Sequence, residues 1–427
     1  MGSFALLRQN RNFALVWLGS LISMAGDWML FVALPMHVYQ ATGSTLATGA
    51  MLATRIAPRL LLGSVAGVFV DRWDRRQTLV TVNLILAAGL LPLLLVHSVE
   101  TLWIVYAVSF VQACFAQFVS PAEGALLPQL VAPEQLVAAN SLNTLNDNAA
   151  RLIGPPAGGF LVGLGGVAGV AVTDSLTFLL AALLVWLTRI DARPQRTEQP
   201  PEPGSAWVGL WREWLAGLRV IWRTRTLAIM FAFMALTSIG EGVMGTLMVP
   251  FVLDVLGSDE LGFGWILSAQ AIGGLIGSLV ISWRGVPWTP GRMIGAGAIG
   301  LCLFDLMTFN YHVLIPGIGP AIVFMALVGL PVAVMLVGYS TLVQVASTDE
   351  YRGRVLGAIN AVAGLARLVG VAIAGTLGNA VGIVTMLNIQ GLGYFLAGLM
   401  VLVLVTDQAS ERRAAASKRQ AAAGSTP

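Results

Sequence analysis

Among the ionisable residues inside segments otherwise built from Leu, Val, Ala, Gly and Phe, six stand out: Asp27, Arg55, Asp147, Arg151, Glu241 and Arg367. A charge in hydrocarbon costs a few kcal/mol on insertion scales, so a residue kept there is a functional candidate by default. Carboxylates in that setting carry protons or pair with cations, and arginines pair with carboxylates or anionic ligands. Asp27 and Glu241 each stand about halfway along an apolar segment, so the helical rise places both near a bilayer midplane. Glu241 has no Arg or Lys in its own segment or within the span of the next. Desolvation opposes its charged form, which makes it the first candidate proton carrier, with Asp27 second because Arg55 is near. Asp147 and Arg151 stand four apart, the spacing of a local helical ion pair, so a structural role and a functional one both stay open for them. Asp174 and Asp305 are expected to be satisfied by backbone or polar neighbours.

Around these charges, Trp28, Met29 and Phe31 flank Asp27, while Phe231, Met234, Met244 and Met248 surround Glu241. Thioethers and rings beside carboxylates suit a roomy site for amphipathic or cationic ligands, and the same stripes also serve plain helix packing. His37, His97 and His312 lie at or near segment ends. Enzyme chemistry lacks its usual marks: there is no His-Glu-x-x-His, no clustered His and Cys, and no Gly-Lys-Ser/Thr phosphate loop. Cys114 and Cys302 are far apart in apolar runs, without disulfide or metal-ligand spacing. No cofactor, metal or nucleic-acid partner is expected.

The elements that must hold these residues are membrane spans. Of 427 residues, 57% are hydrophobic and 11% charged, with mean hydropathy +0.81, against roughly 25% charged in soluble domains. Crossing about 30 Å of hydrocarbon takes roughly 20 residues. Windows of that kind occur near 13–39, 46–70, 78–97, 101–121, 140–165 and 167–188, then near 226–253, 261–283, 292–311, 313–345, 355–380 and 383–405. This predicts an all-α membrane protein of twelve helices in two six-helix halves: a bundle over 1–188, a linker over 189–225, a second bundle over 226–405 and a disordered tail over 406–427. In the linker, Trp207, Trp211, Leu215, Leu218 and Trp222 recur at helical spacing with Arg212, Arg219 and Arg223 on another face, as in an interfacial amphipathic helix. Arginines concentrate in alternate loops, while the loops around 40–45, 98–100, 165–167, 254–260 and 380–383 contain none. Positive-inside asymmetry therefore places both termini in the cytoplasm. Residues 1–12 show no cleavable signal peptide.

The halves repeat. Asp27 and Glu241 lie 214 apart, as do Gly63 and Gly277; Pro35 and Pro250, and Gln129 and Gln344, lie 215 apart; Ala150-Arg151-Leu152-Ile153-Gly154 answers Ala366-Arg367-Leu368-Val369-Gly370 at 216. Two related membrane halves with a carboxylate at the same depth of their first helices are a common way for carriers to build a central site.

Gly67-Val-Phe-Val-Asp71-Arg72-Trp-Asp74-Arg75-Arg76 follows the second span. This resembles the loop signature of the major facilitator superfamily, which implies a cytoplasmic latch formed by Gly67, Asp71, Arg72, Arg75 and Arg76. An ordinary positive-inside loop reads the same way, and the equivalent region at Trp283-Arg284-Gly285 is degenerate. Asp71 is expected to meet a helix N-terminus or an Arg at the membrane edge. In the fifth span, Gly154-Pro155-Pro156-Ala-Gly158-Gly159 resembles the Gly-Pro signature of the superfamily's antiporters, with Gly154, Pro155, Gly158 and Gly159 expected to pack tightly. Gly26-Asp27, Pro133-Glu134 ahead of Ala139-Asn140-Ser141-Leu142, and Tyr351-Arg352-Gly353-Arg354 are similar to the branch holding macrolide-efflux proteins and the enterobactin exporter. The resemblance implies a secondary exporter of amphipathic, drug-like small molecules, working as a monomer by proton antiport in a bacterial inner membrane. Asp27 and Glu241 would exchange protons and cargo, tuned by Arg55, Asp147, Arg151 and Arg367. The alternative is a siderophore or lysophospholipid carrier, whose anionic cargo would rest on the arginines.

Overall fold

A computed structural model describes residues 3–190, 215, 218–285, 288–347 and 351–423. Helix starts follow from local capping chemistry. Asn10, Ser44, Asp74, Asp259 and Thr289 each accept a backbone N–H three residues on, opening Arg11–Thr42 (α1), Thr45–Val70 (α2), Arg75–Leu90 (α3), Glu260–Arg284 (α8) and Pro290–Asn310 (α9). Between α3 and α8 come Leu102–Ala116 continued by Val119–Leu130 (together α4), the 51-residue run Leu136–Trp186, and Arg225–Pro250 (α7). After α9 come Gly319–Ala346 (α10), Arg352–Val381 (α11) and Ile383–Ala423 (α12).

Among the described residues, ten stretches are long and apolar enough to cross a membrane, one of them 54 residues long over Pro133–Trp186. As continuous helix that run would reach about 80 Å, far more than one bilayer. It breaks at Gly166 (φ 59°, ψ −159°), giving α5 (136–165) and α6 (167–186). With α2, whose 26 residues include Arg55 and Arg59, twelve helices of spanning length occur among the described residues.

Turn glycines repeat along with the helices. Gly43 (φ 60°) ends α1, and Gly257 (φ 58°) follows α7 at the same offset that separates Asp27 from Glu241. Gly166 separates α5 from α6, and Gly382 (φ 97°) separates α11 from α12, at the offset of Arg151 and Arg367. Only glycine adopts these left-handed backbones without strain, so the duplication is written into the turns as well as the spans.

The two halves touch at the end bearing these turns and part toward the end bearing the termini. Between α2 and α11, Thr45 Oγ1 donates to the Gly375 carbonyl at 3.0 Å, a Cβ at Gly49 would lie 3.2 Å from Val371, and Leu60 packs on Gly364. Between α5 and α8, Gly159 packs on the Glu260 backbone and Gly264 on Pro155 and Pro156, and Ser268 Oγ donates to the Leu152 carbonyl at 2.7 Å. Tyr39 hydrogen-bonds Asp254, and Gln40 hydrogen-bonds Glu260, tying α1 to the second half at the same end. Toward the termini, by contrast, nothing lies within 4 Å of the positions a Cβ would take at Gly67, Gly353 or Gly357. Among the described residues the halves are thus joined at one end, with a cleft between them toward the other.

The sequence expectations need three adjustments here. The fourth span does not stop at 121 but continues as helix to Leu130. Helix also continues past 405, to Ala423, where a structureless tail is expected; the Ala-, Arg- and Gln-rich run has strong intrinsic helix propensity. Most of the expected linker helix, including Trp207, Trp211 and Arg212, lies outside the described residues. Residues 218–223 are helical, with Ile221 fully buried.

Candidate substrate and coupling site

The helices that bound the cleft carry the predicted charges. α5 crosses α1 closely because Gly154 and Gly158 replace side chains: a Cβ at Gly158 would sit 2.7 Å from Met29 backbone atoms, and one at Gly154 would meet Trp28. The neighbouring Pro155 and Gly159 face α8 instead. The Gly-Pro motif thus packs one helix against its own half and the opposite half at once. The second half repeats the crossing, with Gly242 of α7 against the Arg367 carbonyl and Gly370 of α11 against the Ile239 carbonyl.

These equivalent crossings hold equivalent arginines with different partners. Arg367 forms an ion pair with Glu241 whose two side chains remain 42% and 41% exposed. Glu241 is therefore not the unpartnered carboxylate its sequence neighbourhood predicts; the partner comes from the distant α11, through the Gly242–Gly370 approach. Arg151 instead spans the halves, donating from Nη2 to Gln270 Oε1 at 2.8 Å, and its guanidinium lies 5.7 Å from the Trp28 ring centroid. The local Asp147–Arg151 pair is not formed among the described residues: Arg151 turns to α1 and α8, leaving Asp147 exposed.

Arg55 stands 5.6 Å from the Phe31 ring centroid and within charge range of both Asp27 and Asp174. Trp28 and Phe31, themselves in edge contact at 5.1 Å, thus each receive one arginine. Met234 and Met244 are half-buried, whereas Met248 is 3% exposed and belongs to the core.

The loop after α2 acts within its own half. Asp71 is exposed at the end of α2, and Asp74, rather than Asp71, caps the next helix, accepting Gln77 N–H at 2.9 Å. Arg76 reaches the Val185 carbonyl at 3.4 Å and the Trp186 carbonyl, a cation on the negative end of α6.

Two site residues escape the sequence reading. Glu123 of α4 faces Ser20 of α1 and Asp147 of α5; it looks like a loop residue when the span ends at 121. The Gln129–Gln344 correspondence is the signal that this stretch belongs to the membrane. Asp174 is the second, singled out only as structural. Its counterpart in the repeat, at the offset of Arg151 and Arg367, is Gln390, whose Nε2 donates to buried Asp305 at 3.2 Å. No group of three or more His, Cys, Asp or Glu fit for a metal occurs among the described residues.

Comparison with known proteins agrees with this architecture. The family model for the Major Facilitator Superfamily matches residues 16–259 and 230–427, and the chain belongs to that family. It is 24% identical over 416 residues to the MFS-type transporter YfiS of Bacillus subtilis, covering 93% of this chain and 94% of YfiS. It is 24% identical over 412 residues to the enterobactin exporter EntS of Salmonella choleraesuis, covering 95% of each. Among solved structures, a POT peptide transporter in complex with sulfate superposes with TM-score 0.75 at 13% identity, covering 93% of this chain and 95% of that one. A bacterial homologue of the lysosomal transporter Spinster, inward-facing and unoccupied, gives TM-score 0.66 at 13% identity over 92% and 97% of the two chains. The protein is a multi-pass membrane transporter of this superfamily.

Proposed function

We propose that this transporter exports amphipathic small molecules from the cytoplasm of a bacterium, exchanging them for protons as a monomer in the inner membrane. The observation that carries the reading is the cleft itself. It opens toward the termini, which positive-inside asymmetry places in the cytoplasm, and the helices that bound it carry the Arg55–Phe31 and Arg151–Trp28 contacts in one half and the Arg367–Glu241 pair in the other. Units 1–188 and 226–405 would rock about the closed end, the tail staying cytoplasmic. The loop with Gly67, Asp71, Arg72, Arg75 and Arg76 would latch the cytoplasmic ends once they close. A proton-motive force of ~150 mV supplies about 3.5 kcal/mol per proton, enough for a gradient of a few hundred-fold.

A second reading is favoured by the Arg367–Glu241 pair and by relatives named as enterobactin exporters. An anionic cargo group would displace Glu241 from Arg367, and the freed carboxylate would take up a proton alongside the cargo. Protons would then leave with the cargo, and the membrane potential, about 2.3 kcal/mol per charge per 100 mV, would favour export only of cargo whose negative charges outnumber the protons carried.

Everted vesicles with an acid interior separate the two. A panel of macrolides, lipophilic cations, siderophores and lysolipids is added to wild type and Glu241→Gln. Under antiport, a transported cargo drives protons out of the lumen; under the anionic reading, it carries them in. Absence of any cargo-dependent proton movement defeats the antiport proposal.

A further inference from the structure

Asp174 of α6 is fully buried; Thr177 Oγ1 donates to its Oδ1 at 2.8 Å, and Oδ2 is unpartnered among the described residues. The carboxyl presses on the backbone of α1, where a Cβ at Gly26 would overlap Oδ1 and lie 2.9 Å from Cγ. Asp27 is the next residue. Among the described residues, Arg55 is the one cation within charge range of both acids. The other neighbours supply no charge: Ser175 turns to the Ala87 carbonyl of α3, and Arg151 of α5 is engaged by Trp28 and Gln270.

Two carboxyls thus share one guanidinium, with Asp174 fully buried and Asp27 and Arg55 half-buried. A buried anion with an unmade hydrogen bond is costly, and two carboxylates that share a site do not both ionise readily. The second half solves the same geometry differently. Gly240 replaces Gly26, and a Cβ there would lie 3.1 Å from Cγ of Gln390, a neutral amide at the position of Asp174. Glu241 meanwhile has Arg367 to itself. The second half thus sets its further buried carboxyl, Asp305, on the Gln390 amide, whereas in the first half Asp174 itself lies beside Asp27 and its guanidinium partner.

We infer that Asp27 and Asp174 share one proton, held on Asp174 while Arg55 serves Asp27, and that this pair couples proton movement to a cationic amphipathic cargo. The inference rests on the antiport reading and assigns its proton site and substrate class. Cationic cargo settling on Asp27 from the cleft releases Arg55 toward Asp174. Asp174 then keeps both electrons of its O–H bond as a carboxylate, and its proton leaves for solvent. Cargo and proton exclude each other, as antiport requires.

The test uses the full chain in liposomes and reads the infrared stretch of protonated carboxyls at neutral pH, without any ligand. Asp174→Asn is expected to remove one carboxyl's intensity. Asp27→Asn is expected to remove it too, because Arg55 then serves Asp174 alone. An unchanged band in Asp174→Asn overturns the proposal. So does a band that persists in Asp27→Asn, which would mean Asp174 is neutral through burial by itself; this second arm decides the matter if Asp174→Asn fails to fold. Binding of tetraphenylphosphonium is expected to release about one proton from wild type and none from Asp174→Asn, and equal release from both also overturns it. Infrared changes as expected, with no cargo-dependent flux in vesicles, would support the shared proton and sink the antiport reading alone.

Discussion

Arg151 and Arg367 sit at matching places in the repeat and meet different partners, one an amide and a ring, the other a carboxylate. For the Glu241–Arg367 pair, partial exposure limits what the contact contributes to stability. A double-mutant cycle of Glu241→Gln and Arg367→Gln, followed by thermal unfolding in detergent, should give a coupling of about 1 kcal/mol. Loss of transport in either single variant should be far larger than that coupling suggests. At this scale the sequence names most of the charges but not who pairs with whom. Arg151 is closest to Asp147 along the helix and yet turns to α8, because pairing in a bundle is decided by which helices cross. Nothing in the linear neighbourhood of Glu241 announces Arg367, although the repeated Ala-Arg-Leu-x-Gly motif marks both arginines as equivalent.

At the scale of elements, glycine fixes where helices meet. A Cβ at Gly242 would lie 2.8 Å from Val371 N and 3.0 Å from Gly370 Cα, so Gly242→Ala must push α7 from α11. Overpacking of this kind costs about 1–3 kcal/mol, and the apparent Tm of the purified protein should fall accordingly. Gly357→Ala, on the same α11 but facing open space, should be neutral or raise stability by up to about 1 kcal/mol through helix propensity. A fall in Tm for Gly357→Ala equal to that for Gly242→Ala would contradict this account of the crossings. Span number and order were readable from hydropathy, since burial in lipid demands long apolar runs. Ends were not. Glu123 and Gln129 look like loop residues, yet helix runs through them, and both side chains are half-buried within the bundle.

The whole molecule is captured with its terminus-bearing end open. With Cys114 and Cys302 replaced by Ala, a cysteine at position 357 should react with a membrane-impermeant maleimide in everted vesicles. A cysteine in place of Thr45, buried between α2 and α11, should stay unmodified until the cycle turns over. The opposite labelling pattern would reverse the assignment of the open side. Tyr39→Phe and Asp254→Ala each delete the bond that ties α1 to the turn following α7 at the closed end. Both should raise labelling at position 45 several-fold, while leaving the fold intact by circular dichroism.

At several contact points of the closed end, Gly49, Gly159, Gly264 and Gly375 bring backbone against the opposite half, beside the side-chain bonds of Tyr39, Gln40, Thr45 and Ser268. Side chains frozen into an interface surrender rotamer freedom, up to about 2 kcal/mol for a long one, and regain it when the interface parts. A contact made through glycine has almost none to surrender or regain. Its closing and parting are therefore nearly free of that entropic bias, which lets two arrangements of the halves lie close in free energy. A small input, such as one proton or one bound molecule, is then enough to decide which of them is populated.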